Sequence, residues 1–166
     1  MAVRIVFASE ADVPAILEFI RGLAKFEKLE HEVTATEEAL RAALFGPKKY
    51  AEVVFLEDDG RREGFALFFH NFSTFLAKPG LYLEDLYVLP EARSKGHGKR
   101  LLAFLAKLAV ERGCGRFEWS VLDWNTRAID FYASLGAKPL LEWTTQRLSG
   151  VALLELARSS DGIIPR

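Results

Sequence analysis

The chain has 166 residues, with 22 basic and 23 acidic side chains, a formal net charge of −1, 50% hydrophobic residues and 27% charged ones. That length holds one domain with a real core, and the composition is that of a soluble globular protein. The near-zero net charge gives no global reason to expect nucleic acid or a membrane surface as partner. A single cysteine, Cys114, rules out an intrachain disulfide and fits a reducing compartment. The first nine residues are too short for a signal sequence and lead straight into a helical pattern. No apolar run reaches the ~18 residues that span a bilayer. These features predict a cytoplasmic protein.

Residues 3–8 (VRIVFA) predict a short strand. Ser9 with Asp12 three residues on is a capping signal. Val13, Ile16, Leu17, Ile20, Leu23 and Ala24 follow at helical spacing, so the first helix buries that face. The charged stretch 25–32 at its end has two readings. It is a solvated helix end, or Glu27 or Glu30 lines the entrance for a cationic substrate. Residues 36–45 predict a second helix, stopped at Gly46-Pro47. Residues 50–56 and 64–72 predict two strands joined by a turn at 57–61. The rings of Phe65, Phe68, Phe69 and Phe72 suit a core strand, or the wall of a pocket for an alkyl chain. Residues 71–79 are predicted as a loop.

A central strand at 81–89 carries two adjacent acids, Glu84 and Asp85. A basic loop, Arg93-Ser94-Lys95-Gly96-His97-Gly98-Lys99-Arg100, leads into an amphipathic helix with Leu101, Phe104, Leu105 and Leu108 on one face and Gly113 as its stop. Residues 116–122 predict a strand and 125–135 a helix capped at Gly136. Residues 138–147 and 151–157 predict a closing strand pair. The order β-α-α-β-β-β-α-β-α-β-β predicts a mixed sheet with helices on both faces. The connection from 81 to 122 is a parallel crossover. One domain spans 1–166, with its core in 3–157 and a tail at 158–166.

A glycine-containing basic loop at a helix start suits a phosphate, because backbone N–H groups and the helix dipole point at one anion. The loop is not a nucleoside triphosphate loop, since Gly98-Lys99 is followed by Arg100. Nor is it a dinucleotide loop, since no third glycine follows Gly98 at the required place. It does match Arg-x-x-Gly-x-Gly, as Arg93, Gly96 and Gly98. A second pattern, Asn-x-x-Ala-x-x-x-Tyr-x-x-x-Gly-Ala, is present as Asn125, Ala128, Tyr132, Gly136 and Ala137. Together these resemble the GNAT superfamily of N-acetyltransferases. Within it the chain is similar to the diamine (spermidine/spermine-type) and thialysine acetyltransferases, through residues 23–27, 82–88 and 121–125.

That resemblance implies an α/β (α+β) fold with a twisted, mixed, mainly antiparallel sheet of six to seven strands. It implies acetyl-CoA as co-substrate, no metal, a homodimer, and direct attack by a primary amine of a diamine, polyamine or lysine-like molecule. Glu84 becomes the candidate base, as an acid in an apolar strand where burial raises a carboxyl pKa; a strand-end ion pair is the alternative. Asp85 points to the opposite face unless a bulge intervenes, and is read as structural. Tyr132 would give a proton to the leaving thiolate. The backbone of Leu86, Tyr87 and Val88 would pair with the pantetheine arm, with Leu86 N–H toward the thioester oxygen. Arg93, Ser94, Lys95, Gly96, His97, Gly98 and Lys99 would surround the diphosphate, with Asn125, Arg127 and Tyr132 also on the coenzyme. His97 receives no catalytic role. Glu27, Glu30, Phe75 and Glu84 are the substrate candidates.

The loop before the central strand departs from the polyamine pattern. Thr74 and Phe75 or Leu76 stand where an acid and a tryptophan are expected, which favours a short or amino-acid-like amine. Cys114 has no activator near it in sequence, and His31, His70 and His97 show no metal-ligand spacing. A coenzyme-binding sensor without turnover and a peptide acetyltransferase remain the alternatives. Retention of both Glu84 and Tyr132 speaks against the sensor.

Overall fold

The computed structural model describes residues 3–160 and 162. Two compact units divide the chain, Met1–Ser120 and Val121–Arg166. The first contains β1 (Arg4–Phe7), α1 (Val13–Phe26), α2 (Glu37–Phe45), β2 (Glu52–Asp58), β3 (Arg61–Ser73), β4 (Lys78–Val88), α3 (His97–Glu111) and β5 (Phe117–Trp119). The strands form one sheet in the order β1-β2-β3-β4-β5. Neighbours are antiparallel except β4 and β5, which are parallel and connected through α3. This is the expected mixed sheet and parallel crossover, with five strands among the described residues rather than six or seven.

Helices cover both faces, which explains why Val53, Val54, Phe55 and Leu56 are all buried in succession. On one face α1 inserts Ile16, Phe19 and Leu23 against Val53, Phe55, Phe65 and Tyr87. The Phe19 ring lies 5.6 Å from Phe55, 5.3 Å from Phe65 and 6.3 Å from Tyr87, so one side chain ties α1 to three strands. Burial of such a ring stabilises by about 1.5–3 kcal/mol. The other face takes α3 through Leu101, Leu102, Leu105 and Ala109, while Phe104 and Leu108 are only half-buried. Gly64 makes room there, since a Cβ on it would meet Leu101 Cδ1 at 3.2 Å.

Local signals place the helix starts. Thr36 Oγ1 accepts from Ala39 N–H at 3.1 Å at the start of α2. Asp12 accepts from Ser9 N–H at 2.7 Å, but this pair closes a single 3-10 turn, Glu10–Asp12, ahead of α1. The loop expected at 71–79 is shorter than read. Pairing of Asn71 with Gly80 and Ser73 with Lys78 extends β3 and β4, leaving a turn at 74–77.

The second unit contains α4 (Thr126–Ser134) and α5 (Gly150–Arg158). Asn125 Oδ1 accepts from Ala128 N–H at 3.3 Å, which starts α4. At its end Gly136 N–H donates to Ala133 O at 3.0 Å and Ala137 N–H to Tyr132 O at 3.1 Å, with Gly136 at φ 91. That closure needs a left-handed residue, so the Tyr-x-x-x-Gly-Ala spacing has a structural cause. The closing strand pair is corrected. Residues 138–149 are irregular, and 151–157 belong to α5. The sequence GVALLELAR is dominated by strong helix formers and has one β-branched residue, so propensity outweighs the short apolar alternation. Of the expected tail, Arg158 ends α5, while Asp161 and 163–166 lie outside the described residues. No helix among the described residues is long and apolar enough to cross a membrane.

Candidate active site

The sheet changes character part-way along β4. Leu81, Tyr82 and Leu83 pair with Phe117, Glu118 and Trp119 of β5 on one edge and with β3 on the other. Beyond Leu83, among the described residues, β4 pairs only with β3. The register shifts at the same place: Phe68 faces Leu83 but Leu67 faces Asp85. Glu84 is therefore the extra residue of a bulge.

The bulge has two consequences. It breaks the alternation that would send Glu84 and Asp85 to opposite faces. It also re-aims the backbone. Leu81 N–H donates across to Arg116 O at 3.0 Å, whereas Leu89 N–H donates to Glu63 O on β3 at 2.9 Å. Counting back in twos from Leu89, the N–H groups of Leu86 and Val88 point away from β3, toward the open edge.

Beside that edge stands a group of acids. Burial, and then the charges of Glu84 and Glu27, push the Asp85 carboxyl up to about 6. Burial also raises Glu27, the residue that caps the end of α1. Burial and both neighbouring carboxylates act on Asp85 in the same direction. Glu84 itself is exposed, and the burial expected to tune it falls on Asp85 instead. The bulge removes the alternation that placed Asp85 on the face opposite Glu84. Glu30 is exposed in the turn Glu30–Glu32 and is not among the charges acting on Asp85. Phe75 is fully exposed at the tip of the β3–β4 turn.

The basic loop follows β4 directly. Arg93 Nε donates to Val88 O at 3.3 Å, and its guanidinium lies 4.6 Å from the Phe26 ring and 5.6 Å from the Tyr87 ring. The motif arginine thus links the end of α1 to β4. Ser94 and Gly96 have φ 71 and φ 80, both left-handed, and turn the chain into α3. A Cβ on Gly98 would stand 4.0 Å from Leu86 Cδ2, so α3 begins against the open stretch of β4. The first N–H groups of α3 have no intrahelical acceptor, and the dipole adds positive potential there.

Two loop side chains pair with the β2–β3 hairpin. Lys95 Nζ donates to Glu63 Oε1 at 3.1 Å and Oε2 at 2.9 Å, and buried His97 Nε2 lies 2.9 Å from Glu63 Oε2. Asp58 Oδ2 is 3.6 Å from Lys95 and 3.5 Å from His97. Lys95 and His97 were expected as diphosphate ligands; their side chains pair with Glu63 and Asp58 of the β2–β3 hairpin. The Lys95 ammonium and His97 hold the Glu63 carboxyl below its usual range. Asp58, Glu63 and His97 place ligand atoms within 4.8 Å of one another, a set that could hold a divalent ion. The Lys95 ammonium already serves these oxygens as their cation. Sequence spacing gave no sign of this cluster, because Glu63 and Asp58 read as ordinary turn-flanking acids.

Asn125, Arg127 and Tyr132 belong to the second unit, where α4 carries Arg127 and Tyr132 and Asn125 caps it. The model of the acetyltransferase (GNAT) family matches residues 17–137, a span that runs through both units. A thialysine N-epsilon-acetyltransferase of Mus musculus is 39% identical over 93% of this chain and 96% of its own length.

The chain belongs to the acetyltransferase (GNAT) family.

An L-ornithine N5-acetyltransferase of Arabidopsis thaliana is 37% identical over 90% of the acetyltransferase and 86% of its own length. Among solved structures, an integron cassette protein of V. cholerae superposes with a TM-score of 0.80 at 27% identity, covering 96% of this chain and 99% of that one. In the acetyltransferase, Cys114 is half-buried just past α3, with its N–H donating to Ala109 O at 2.8 Å. A cleft of about 610 Å³ is lined by Phe19, Gly22, Glu57, Arg62 and Tyr87 among others. None of Glu27, Glu84 and Asp85 lines it.

Proposed function

We propose that the acetyltransferase transfers the acetyl group of acetyl-CoA to a primary amine of a short, amino-acid-like or diamine substrate. The observation that carries this reading is the uncompensated acid group, Glu27, Glu84 and Asp85, beside an unpaired strand edge and a left-handed loop at a helix start. Two carboxylates that raise a third by their charge attract a cation, and an ammonium is the cation that an amine acetyltransferase must receive. The thialysine and ornithine specificities of the similar enzymes support a substrate of that class. The fully exposed Phe75, with no acid in its turn, supports a short amine over a long polycation.

The residues present fit the coenzyme. The N–H groups of Leu86 and Val88 offer an added strand to the pantetheine arm. Loop and helix N–H groups at Gly96, Gly98 and Lys99, with Arg93 and Ser94 beside them, would hold the diphosphate. Acetyl-CoA supplies an activated thioester. An alkylammonium must lose a proton before its nitrogen can form the amide bond. The Glu84–Asp85 pair takes that proton, with Glu84 as the exposed member that meets the amine and Asp85 as the member with the raised affinity. Glu27 holds the remaining charge of the substrate. The family resemblance implies Tyr132, on α4, as the group that would give a proton to the leaving thiolate. The protein acts as a homodimer in the cytoplasm, which sedimentation and fractionation would check.

Incubation with acetyl-CoA and a panel of diamines, ornithine, lysine analogues and short peptides, following free thiol and product mass, tests the reading. Acetylated short amines are expected. Turnover of peptides alone would move the enzyme to a different substrate class.

A further inference from the structure

We propose that Glu63 is a positioning residue for coenzyme binding, which sets the curvature of the β4–α3 loop through Lys95 and His97. This inference rests on the acetyl-CoA reading above.

A buried carboxylate needs partners, and Glu63 is only 6% exposed. The side-chain donors it finds, Lys95 and His97, both come from the loop, one on each side of Gly96. They converge on the same oxygen, Oε2, at 2.9 Å each. Two side chains separated by one residue and pinned to one atom define a bend. The bend is one the chain does not favour unaided, since Ser94 at φ 71 lies in a region that L side chains avoid. His97 Nδ1 is buried without a hydrogen-bond partner, so Nε2 alone orients the ring.

The anchor is rigid. Glu63 O accepts from Leu89 N–H at 2.9 Å, and the adjoining Gly64 pairs with Val88 and packs under Leu101 of α3. Glu63 therefore stands on the sheet where β4 ends and α3 begins. From there it fixes which way the N–H groups of the loop point. Lys95, the residue a reader of the sequence would assign to the phosphates, spends its charge on Glu63 and Asp58 instead.

Calorimetric titration of coenzyme A into the full chain separates the possibilities, using wild type, Glu63→Gln, Lys95→Met and Asp58→Asn. Positioning by Glu63 is expected to show as roughly tenfold weaker coenzyme binding in Glu63→Gln, with the KM for the amine within about twofold of wild type. Lys95→Met should weaken binding in the same direction, and the double variant should lose little more than the worse single one. Asp58→Asn, which removes the second carboxylate beside Lys95 and His97, should lose about threefold and carries the test if Glu63→Gln does not fold. The proposal is overturned if folded Glu63→Gln and Asp58→Asn bind coenzyme A as tightly as wild type. It is equally overturned if they bind it more tightly while Lys95→Met alone is weakened, because Lys95 would then be a direct ligand. Failure of the wild type to bind coenzyme A would instead sink the acetyl-CoA reading, and this inference with it.

Discussion

Two groups of carboxylates flank β4, and they are opposites. Glu63 and Asp58 face Lys95 and His97, and the Glu63 carboxyl is held below its usual range. Burial and the charges of Glu84 and Glu27 push the Asp85 carboxyl up to about 6. The residue types are the same, and what differs is the counter-charge. The first group has its cations built into the chain, so it holds a shape. In the second, the carboxylates of Glu84 and Glu27 add to burial in raising Asp85, which suits the proposed role of binding a cation and accepting a proton.

Removing the unbalanced pair should have the largest effect. Glu84→Gln with Asp85→Asn is expected to lower kcat/KM for the amine by about 10²- to 10⁴-fold, the usual contribution of a general base. Steady-state kinetics at saturating acetyl-CoA would read this, and a loss under threefold would contradict it. Glu27→Gln should act on binding, raising the KM for the amine about threefold to tenfold with kcat within about twofold. Unchanged amine kinetics would remove Glu27 from the site.

Stability should move in opposite senses at the two groups. Asp85 has a folded pKa above its unfolded value, so the folded state binds the extra proton between about pH 4 and pH 6, and stability falls as pH rises through that window. Asp85→Asn is therefore expected to be more stable than wild type at pH 7.5, by up to about 2–3 kcal/mol, with the gain vanishing near pH 4. Glu63 has a lowered folded pKa. Its contribution is present above the unfolded carboxyl range and is lost as pH falls through the folded value. Glu63→Gln should thus be less stable at pH 7.5 and approach wild type in acid. Urea unfolding at both pH values checks the pair. The smallest effect belongs to the loop itself: Ser94→Gly relieves a left-handed serine and should gain less than about 1 kcal/mol.

Much of the framework was legible in the sequence. The spacing of Val13, Ile16, Leu23 and Ala24 located α1, and the two motifs located the loop and α4. What was not readable depends on strand register and on contacts far apart in sequence. One extra residue at Glu84 overturns the alternation argument that separated it from Asp85, and no residue type announces a bulge there. The partners of Lys95 and His97 lie some 30 residues away, at Glu63 with sequence separations of 32 and 34. A basic loop therefore read as more available to phosphate than it is. The segment 151–157 failed for a different reason. Seven apolar-rich residues fit either period, and helix propensity decided between them.

The central claim is that the unbalanced acids take the proton of the amine. The most direct measurement is the pH dependence of kcat/KM for the amine, in wild type and in Asp85→Asn. In wild type the rate should rise with pH through an inflection near 6, where the Asp85 carboxyl ionises, and the Asp85→Asn variant should lose that inflection. The same inflection in both proteins, or none in wild type, would contradict the account.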